Sequence, residues 1–202
     1  LASFVGQVIS MSPVIGDLAR LASRFYQIRI ASALSYDKVF SPDSAILSEI
    51  CFWKSNFQNI NCRKCKVESP PQVICIRGDA SSSGCGSFIQ GTDLIAARLF
   101  NKEEVESHST WRELENINFS LKAFVSKIRN SNVKFFVDNK SSVSIIENGS
   151  MKLGCHQFAL EIFNFCGQNN ISLSLEWVPR SQNKEADFIL RLPEMIDIDD
   201  WQ

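Results

Sequence analysis

The sequence predicts an α/β fold, a mixed five-stranded sheet flanked by helices and preceded by a small all-helical segment. Two observations carry this. Before Pro70-Pro71, apolar residues recur at helical spacing, whereas after it short apolar runs bounded by Gly, Ser and Asn alternate with helical stretches. After that linker the order is three strands, a helix, a strand, helices, a strand and a helix, a pattern that makes a mixed sheet with helices on its faces. The crossover from the first hairpin group to the fourth strand should be right-handed, with that strand parallel to the first.

Residues 1–66 read as three amphipathic helices. Leu1 to Met11 forms a short one. Ser12-Pro13 is a start signal with Pro at the first helical position, and Val14, Leu18, Leu21, Phe25 and Ile28 then lay one apolar stripe on a helix to Ile30. Ser41-Pro42 opens a further helix with Ile46, Ile50, Trp53 and Phe57 on one face. Cys62 to Gln72, CRKCKVESPPQ, is a charged linker ending in a Pro pair that cannot continue a helix, which puts a boundary near Val67. The division is therefore a helical segment 1–66, an α/β domain 67–192 and an acidic tail 193–202.

In the α/β domain, Val73 to Ile76 is a buried strand running into Asp79, and the small-residue turn Ala80–Gly84 leads to a second strand, Cys85–Ile89. Leu94–Phe100 is the third. Thr110–Arg129 reads as one long helix, Val133–Asp138 as the fourth strand, and Asn139–Glu147 as a short helix ended by Gly149. Cys155–Gln168 carries Phe158, Ile162 and Phe165 on one stripe. Ile171–Val178 alternates Ile171, Leu173, Leu175 and Trp177 against Ser172, Ser174 and Glu176, a strand with one apolar face. Pro179 ends it, and Asn183–Leu192 closes as a helix.

Composition narrows the class. The chain has 202 residues, 45% hydrophobic and 21% charged, as in ordinary globular domains. No apolar run is long enough to span a bilayer and no signal peptide is recognisable, which points to an intracellular protein, cytoplasmic or nuclear. Beginning at Leu1 in mid-pattern, the sequence reads as a piece of a longer one. Seven cysteines without a pairing framework fit a reducing compartment. Cys62 and Cys65 form a C-x-x-C with no second pair for zinc, and the other five fit as small hydrophobes. The net charge of −1 conceals an asymmetry, since residues 1–66 carry eight basic against four acidic residues and the remainder thirteen against eighteen. A mildly basic front beside an acidic remainder suits a nucleic-acid contact next to a metal-binding domain.

Four acids stand where chemistry can collect. Asp79 ends an apolar strand ahead of small residues, and Asp138 ends another, the strand end at which α/β sheets gather ligands. Glu113 shares a helical face with Ile117, Leu121, Phe124 and Ile128, while Glu115 should face water with Asn118 and Lys122. Asp187 lies near the buried edge of the last helix. Each has a local role open to it: Asp79 as a turn acid, Glu113 in a capping box with Thr110, Asp138 as a helix N-cap, Asp187 as a surface acid. Together they are better explained by divalent cations. Parallel neighbouring strands would stand Asp79 beside Asp138, and carboxylates crowded in a water-poor site must protonate or bind metal. All-oxygen ligands point to magnesium or manganese, and a pair of such ions is the arrangement for in-line phosphodiester hydrolysis.

The motifs D-A-S-x-x-G-x-G at Asp79, W-R-E-L at Glu113, V-D-N at Asp138 and N-K-E-A-D at Asp187 resemble the ordered acids of ribonuclease H over about residues 70–192. The resemblance implies a ribonuclease H-like fold and two-metal cleavage of the RNA strand of RNA–DNA hybrids, with two Mg²⁺ ions or Mn²⁺ as substitute. Asp79 would bridge both ions, Glu113 and Asp138 would bind one, Asp187 would complete the other, and Asn183 would contact the hybrid. S-P-V-I-G-D-L-A-R-L with the Trp53 helix resembles the thumb and tether of a reverse transcriptase, and V-P-R-S-Q-N-K-E-A-D with D-I-D-D-W resembles DIRS-type retrotransposons, whose fingers and palm would lie upstream. Two departures stand out. The loop before the last helix, where cellular relatives carry a His, reads Val178-Pro-Arg-Ser-Gln, leaving Arg180 to handle substrate or product. Leu190 stands where retroelement relatives show Ser. A hybrid-binding module without catalysis is the alternative of a different class, and an integrase or transposase core ranks lower because such cores lack the acid on the first helix.

Overall fold

The computed structural model describes residues 2–61 apart from 17, 36 and 38, and residues 73–195. The linker Cys62–Gln72 with its C-x-x-C, and the acidic tail beyond Met195, lie outside the described residues. The chain forms two compact units, one from residues up to 69 together with Glu147–Leu160, the other from residues 70–146 and 161 onward. No helix among the described residues is long and apolar enough to cross a membrane.

The first unit is helical but more broken than its periodicity suggests. After α1 (Ala2–Ser10), the expected single helix to Ile30 is three pieces, α2 (Ser12–Ile15), α3 (Leu18–Leu21) and α4 (Arg24–Ala31). Gly16 adopts φ +64°, which stops α2 after one turn and leaves Val14 66% exposed. Leu18, Leu21 and Phe25 are buried as the stripe requires. In α5 (Ser44–Asn61) the inward residues are Ile46, Glu49 and Trp53, whereas Ile50 and Phe57 are exposed. Asp43, not Ser41, caps α5 by accepting the Ile46 amide at 2.9 Å. Glu49 replaces Ile50 on the buried face because it caps another helix, accepting the Phe25 and Tyr26 amides at 2.9 and 3.1 Å. Burial pushes its carboxyl up to about 7 against the opposing pull of those amides. Trp53 Nε1 donates to the Ala22 carbonyl, and Val5, Phe25, Tyr26 and Ile46 form the core. Cys51 is exposed rather than packed.

The second unit is the predicted mixed sheet, ordered β3-β2-β1-β4-β5, with β1 (Val73–Ala80), β2 (Gly84–Ile89), β3 (Ile95–Leu99), β4 (Asn132–Val137) and β5 (Ser172–Trp177). β1–β2–β3 is an antiparallel meander, and β4 runs parallel to both β1 and β5. A short helix α6 (Lys102–Glu106), unforeseen, opens with a capping box between Asn101 and Glu104. The expected helix to Arg129 divides at Phe124 into α7 (Ser109–Ala123) and α8 (Val125–Ile128). After β4 come α9 (Lys140–Asn148) and α10 (Leu153–Gln168), of which residues 147, 148 and 153–160 belong to the first unit. Past β5, a 3-10 turn Arg180–Gln182 precedes α11 (Lys184–Ile189) and α12 (Leu192–Met195), so the closing helix also breaks, at Leu190–Arg191. On α10 the buried residues are Cys155, His156, Ala159, Ile162 and Cys166, with Phe158 and Phe165 only half-buried.

Strand alternation assigns α7 and α11 to opposite faces of the sheet. Ser87, paired with Gly78, accepts a hydrogen bond from Ser120 of α7 at 2.7 Å, and Ile76 and Phe135 share that face under Leu114, Ile117 and Leu121. Gly86, paired with Asp79, lies on the other face against α11, where Phe88, Ala186 and Ile189 form a second cluster. Small size at Gly84 and Gly86 has an intramolecular cause. A Cβ at Gly84 would stand 2.5 Å from the Arg98 carbonyl oxygen, and one at Gly86 2.5 Å from the Leu190 nitrogen and 2.6 Å from its Cα. Trp177, expected on the apolar face of β5, is 41% exposed: it ends an edge strand, with β4 on one side only.

Gly86→Ala should therefore force α11 off the sheet. The expected cost is about 1–3 kcal/mol, the usual range for overpacking, seen as a lowered midpoint in denaturant unfolding. An unchanged midpoint would contradict the close approach of α11 to β2.

Candidate active site

Asp79 and Asp138 come together because β1 and β4 are parallel and in register. Arg77 pairs with Phe136, and two residues further on both strands stand the acids. Glu113 arrives from the first turns of α7, which lies on β1 and β2. Ligand oxygens of Asp79, Glu113 and Asp138 all lie within 4.8 Å of one another, the first two carboxyls buried and Asp138 half-buried.

The local role open to three of these acids is taken by a neighbour. His108 Nδ1, not Thr110, caps α7 by accepting the Trp111 amide at 3.1 Å, so the expected capping box at Glu113 does not form. Asn139 Oδ1 caps α9 through the Ser141 and Ser142 amides, at 2.9 and 3.2 Å, which relieves Asp138. Ser81 Oγ organises the turn after β1 by accepting the Ser83 and Gly84 amides. Asp79 keeps one bond, from the Ala80 amide at 2.9 Å.

The electrostatics follow from crowding out of water. Burial, then the charge of Asp138, pushes Asp79 up to about 7, with the Ala80 amide and Arg180 pulling the other way. Burial, then Asp79 and Asp138, holds Glu113 well above the ordinary carboxylate range. Glu113 Oε2 is buried without a hydrogen-bond partner. An orphaned carboxylate oxygen facing two more carboxylates is a donor set that suits a hard divalent cation.

The other sequence-predicted residues are placed differently. Asp187 is outside this group of three. Its Oδ1 accepts from Arg180 Nη2 at 3.2 Å and its Oδ2 lies 3.1 Å from Arg191 Nη2. Burial raises the Asp187 carboxyl, but bonds from Arg180 and Arg191 outweigh it and leave the group lowered. Asn183, expected to reach substrate, is 1% exposed, and its Nδ2 donates to the Gly78 carbonyl at 2.8 Å, one residue before Asp79. Glu115 does not face water freely, since Arg98 bridges it and Glu104 and so ties α7 to β3 and α6; Asn118 beside it is buried.

No family model matches the chain, and no curated protein does. Solved structures do. RNase H1 from the halophilic archaeon Halobacterium salinarum superposes with a TM-score of 0.50 at 12% identity, over 58% of this chain and 94% of that one. LC11-RNase H1, isolated from compost by a metagenomic approach, superposes with 0.50 at 16% identity, over 62% and 97%. The fold is that of ribonuclease H. The prototype foamy virus protease–reverse transcriptase aligns with 87% of this chain and 24% of its own at 14% identity, but its TM-score of 0.39 is too low to bear on the N-terminal helices.

Within the ribonuclease H fold, two residues near the acids went unread in the sequence. Trp177 Nε1 donates to the Asp138 carbonyl at 2.9 Å, and Lys140 sits 4.3 Å over its ring. Nothing local in the sequence links positions 39 residues apart. Arg191 was legible, standing one helical turn after Asp187, a spacing that pairs opposite charges.

A carboxyl whose folded-state value is raised stabilises the fold in its protonated form. That contribution is whole below its ordinary 3.8 and is lost as pH rises through about 7. In divalent-free buffer, Asp79→Asn should therefore be more stable than the parent at pH 8, by on the order of 1–2 kcal/mol, with the difference gone near pH 4. Denaturant unfolding at both pH values checks this, and a destabilised variant at pH 8 would refute the crowding of charge.

Proposed function

We propose that this chain is a metal-dependent endoribonuclease of the ribonuclease H type, acting on the RNA strand of RNA–DNA hybrids. The observation that carries the reading is the convergence of Asp79, Glu113 and Asp138 from three elements at the strand ends of a ribonuclease H fold. Asp79, Glu113 and Asp138 would hold the first cation, and Asp79 with Asp187 the second. When bound, the pair of Mg²⁺ ions, or Mn²⁺ in their place, supplies an activated water and stabilises charge on the leaving oxygen.

The residues around the acids act through position. Asn183 fixes the backbone of β1 beside Asp79, and Arg77 Nη1 ties the same strand to the Gln182 carbonyl at 2.8 Å, so the turn before α11 is anchored on both. Trp177 holds the backbone of Asp138. Arg180, mostly exposed and felt electrostatically at Asp79, offers the guanidinium for an incoming phosphate. The motifs of residues 12–57 and 178–187, with the basic excess before residue 67, support membership of a retroelement reverse transcriptase polyprotein whose fingers and palm lie upstream.

The chain should cut the RNA strand of a labelled RNA–DNA hybrid in Mg²⁺ and leave the DNA strand intact, and Asp79→Asn should abolish that cleavage, since Asp79 would serve in holding both ions. Cleavage that survives Asp79→Asn would remove the site assignment. Salt-sensitive hybrid binding without cleavage in either Mg²⁺ or Mn²⁺ would identify a binding module instead.

A further inference from the structure

We propose that Arg180 and Arg191 form a phosphate site that Asp187 occupies from within, so that Asp187 joins the other carboxylates only when a phosphate takes its place on the arginines. This rests on the reading that Asp79, Glu113 and Asp138 hold divalent cations.

Both oxygens of Asp187 are engaged. Arg180 Nη2 donates to Oδ1 at 3.2 Å, while Arg191 Nη2 lies 3.3 Å from Oδ1 and 3.1 Å from Oδ2. A carboxylate committed to two guanidinium groups is not free to ligate a cation, and Asp187 is the one acid of the four outside the 4.8 Å group. It is nevertheless close enough for its charge to be felt at Asp79. The arginine side chains are largely exposed, 72% for Arg180 and 53% for Arg191, so another anion can reach them without unfolding α11. Planar guanidinium groups recognise carboxylate and phosphate through the same paired N–H geometry, which makes the two exchangeable. Exposed ion pairs are weak, so the exchange is readily driven by a ligand.

Exchange links the two sites. A phosphate on the arginines releases Asp187 toward the cations, and by reciprocity a cation that draws Asp187 away opens the arginines to phosphate. The fourth acid is then supplied only when substrate chemistry is in place. The ligand is a phosphate oxyanion, borne on a nucleic-acid backbone or free.

The experiment is calorimetric titration of Mg²⁺ into the full chain, alone, with sulfate, and with an uncleavable duplex of 2′-O-methyl RNA on DNA. Sulfate or the duplex should tighten Mg²⁺ binding severalfold in the parent. An effect of the duplex alone assigns the site to a nucleic-acid backbone, and an effect of sulfate equal to it assigns free phosphate. Arg180→Gln with Arg191→Gln should tighten Mg²⁺ binding about tenfold without any anion, the sum of two weak pairs released, and abolish the response to sulfate. Repeating the pair of substitutions on Asp187→Asn separates the latch from simple loss of positive charge, and the gain should there be much smaller. An equal gain on Asp187→Asn, or no gain at all with Mg²⁺ binding intact, overturns the latch while leaving the cation site standing. A parent chain that binds no divalent cation overturns both.

Discussion

Carboxyl groups brought to within a few ångströms of one another and out of water repel, and the α/β unit depends on supporting that repulsion. Asp79 and Glu113 are both buried, and both are pushed toward the protonated form by burial before any neighbour acts. Such a cluster persists only where the surrounding packing over-determines it. Here the backbone ladder of β1 and β4 fixes two of the acids, and α7 brings the third on a helix whose inward face is Leu114, Ile117 and Leu121, all fully buried.

The supporting contacts come in pairs from the two sides of the sheet. On one face, the Ser120 hydroxyl lies within hydrogen-bond distance of Ser87 and of the Asn116 carbonyl, pinning α7 to β2 at fully buried positions. On the other, α11 approaches β2 so closely that only Gly86 fits under Leu190, and Asn183 and Arg77 tie the preceding turn to β1. Arg98 completes the frame from β3 by holding Glu104 and Glu115. Leu190 is buried in this contact, so its apolar side chain has a packing role of its own.

The fold was legible because its signals are local. Gly and Ser clusters bound the strands, the linker Pro pair divides the helical from the mixed region, and the parallel direction of β4 relative to β1 follows from the crossover between them. Helix continuity was not. Apolar spacing from Val14 to Ile28 suits one helix, yet Gly16 at positive φ breaks it, and a stripe pattern does not register backbone conformation. Glu49 was missed on α5 for a related reason. Periodicity treats a Glu as solvent-facing, and its partners, the Phe25 and Tyr26 amides, lie on a different helix. The local role open to Glu113, a capping box, drew on its spacing from Thr110, and Asn183 as a substrate contact came from the motif resemblance; the structure gives the cap to His108 and bonds the Asn183 amide to Gly78.

By itself the sequence determined the division into a helical and a mixed region, the order of the five strands and the sheet they build, because spacing along a chain encodes face and boundary. Tertiary structure alone decided how the four acids are employed. Three stand together while His108, Asn139 and Ser81 cap the helices and turn beside them, and the fourth is held by Arg180 and Arg191. Hydrogen-bond partners compete in space, and a carboxylate goes to whichever donors the packed elements bring near it, an outcome set by neighbours that the linear pattern does not place.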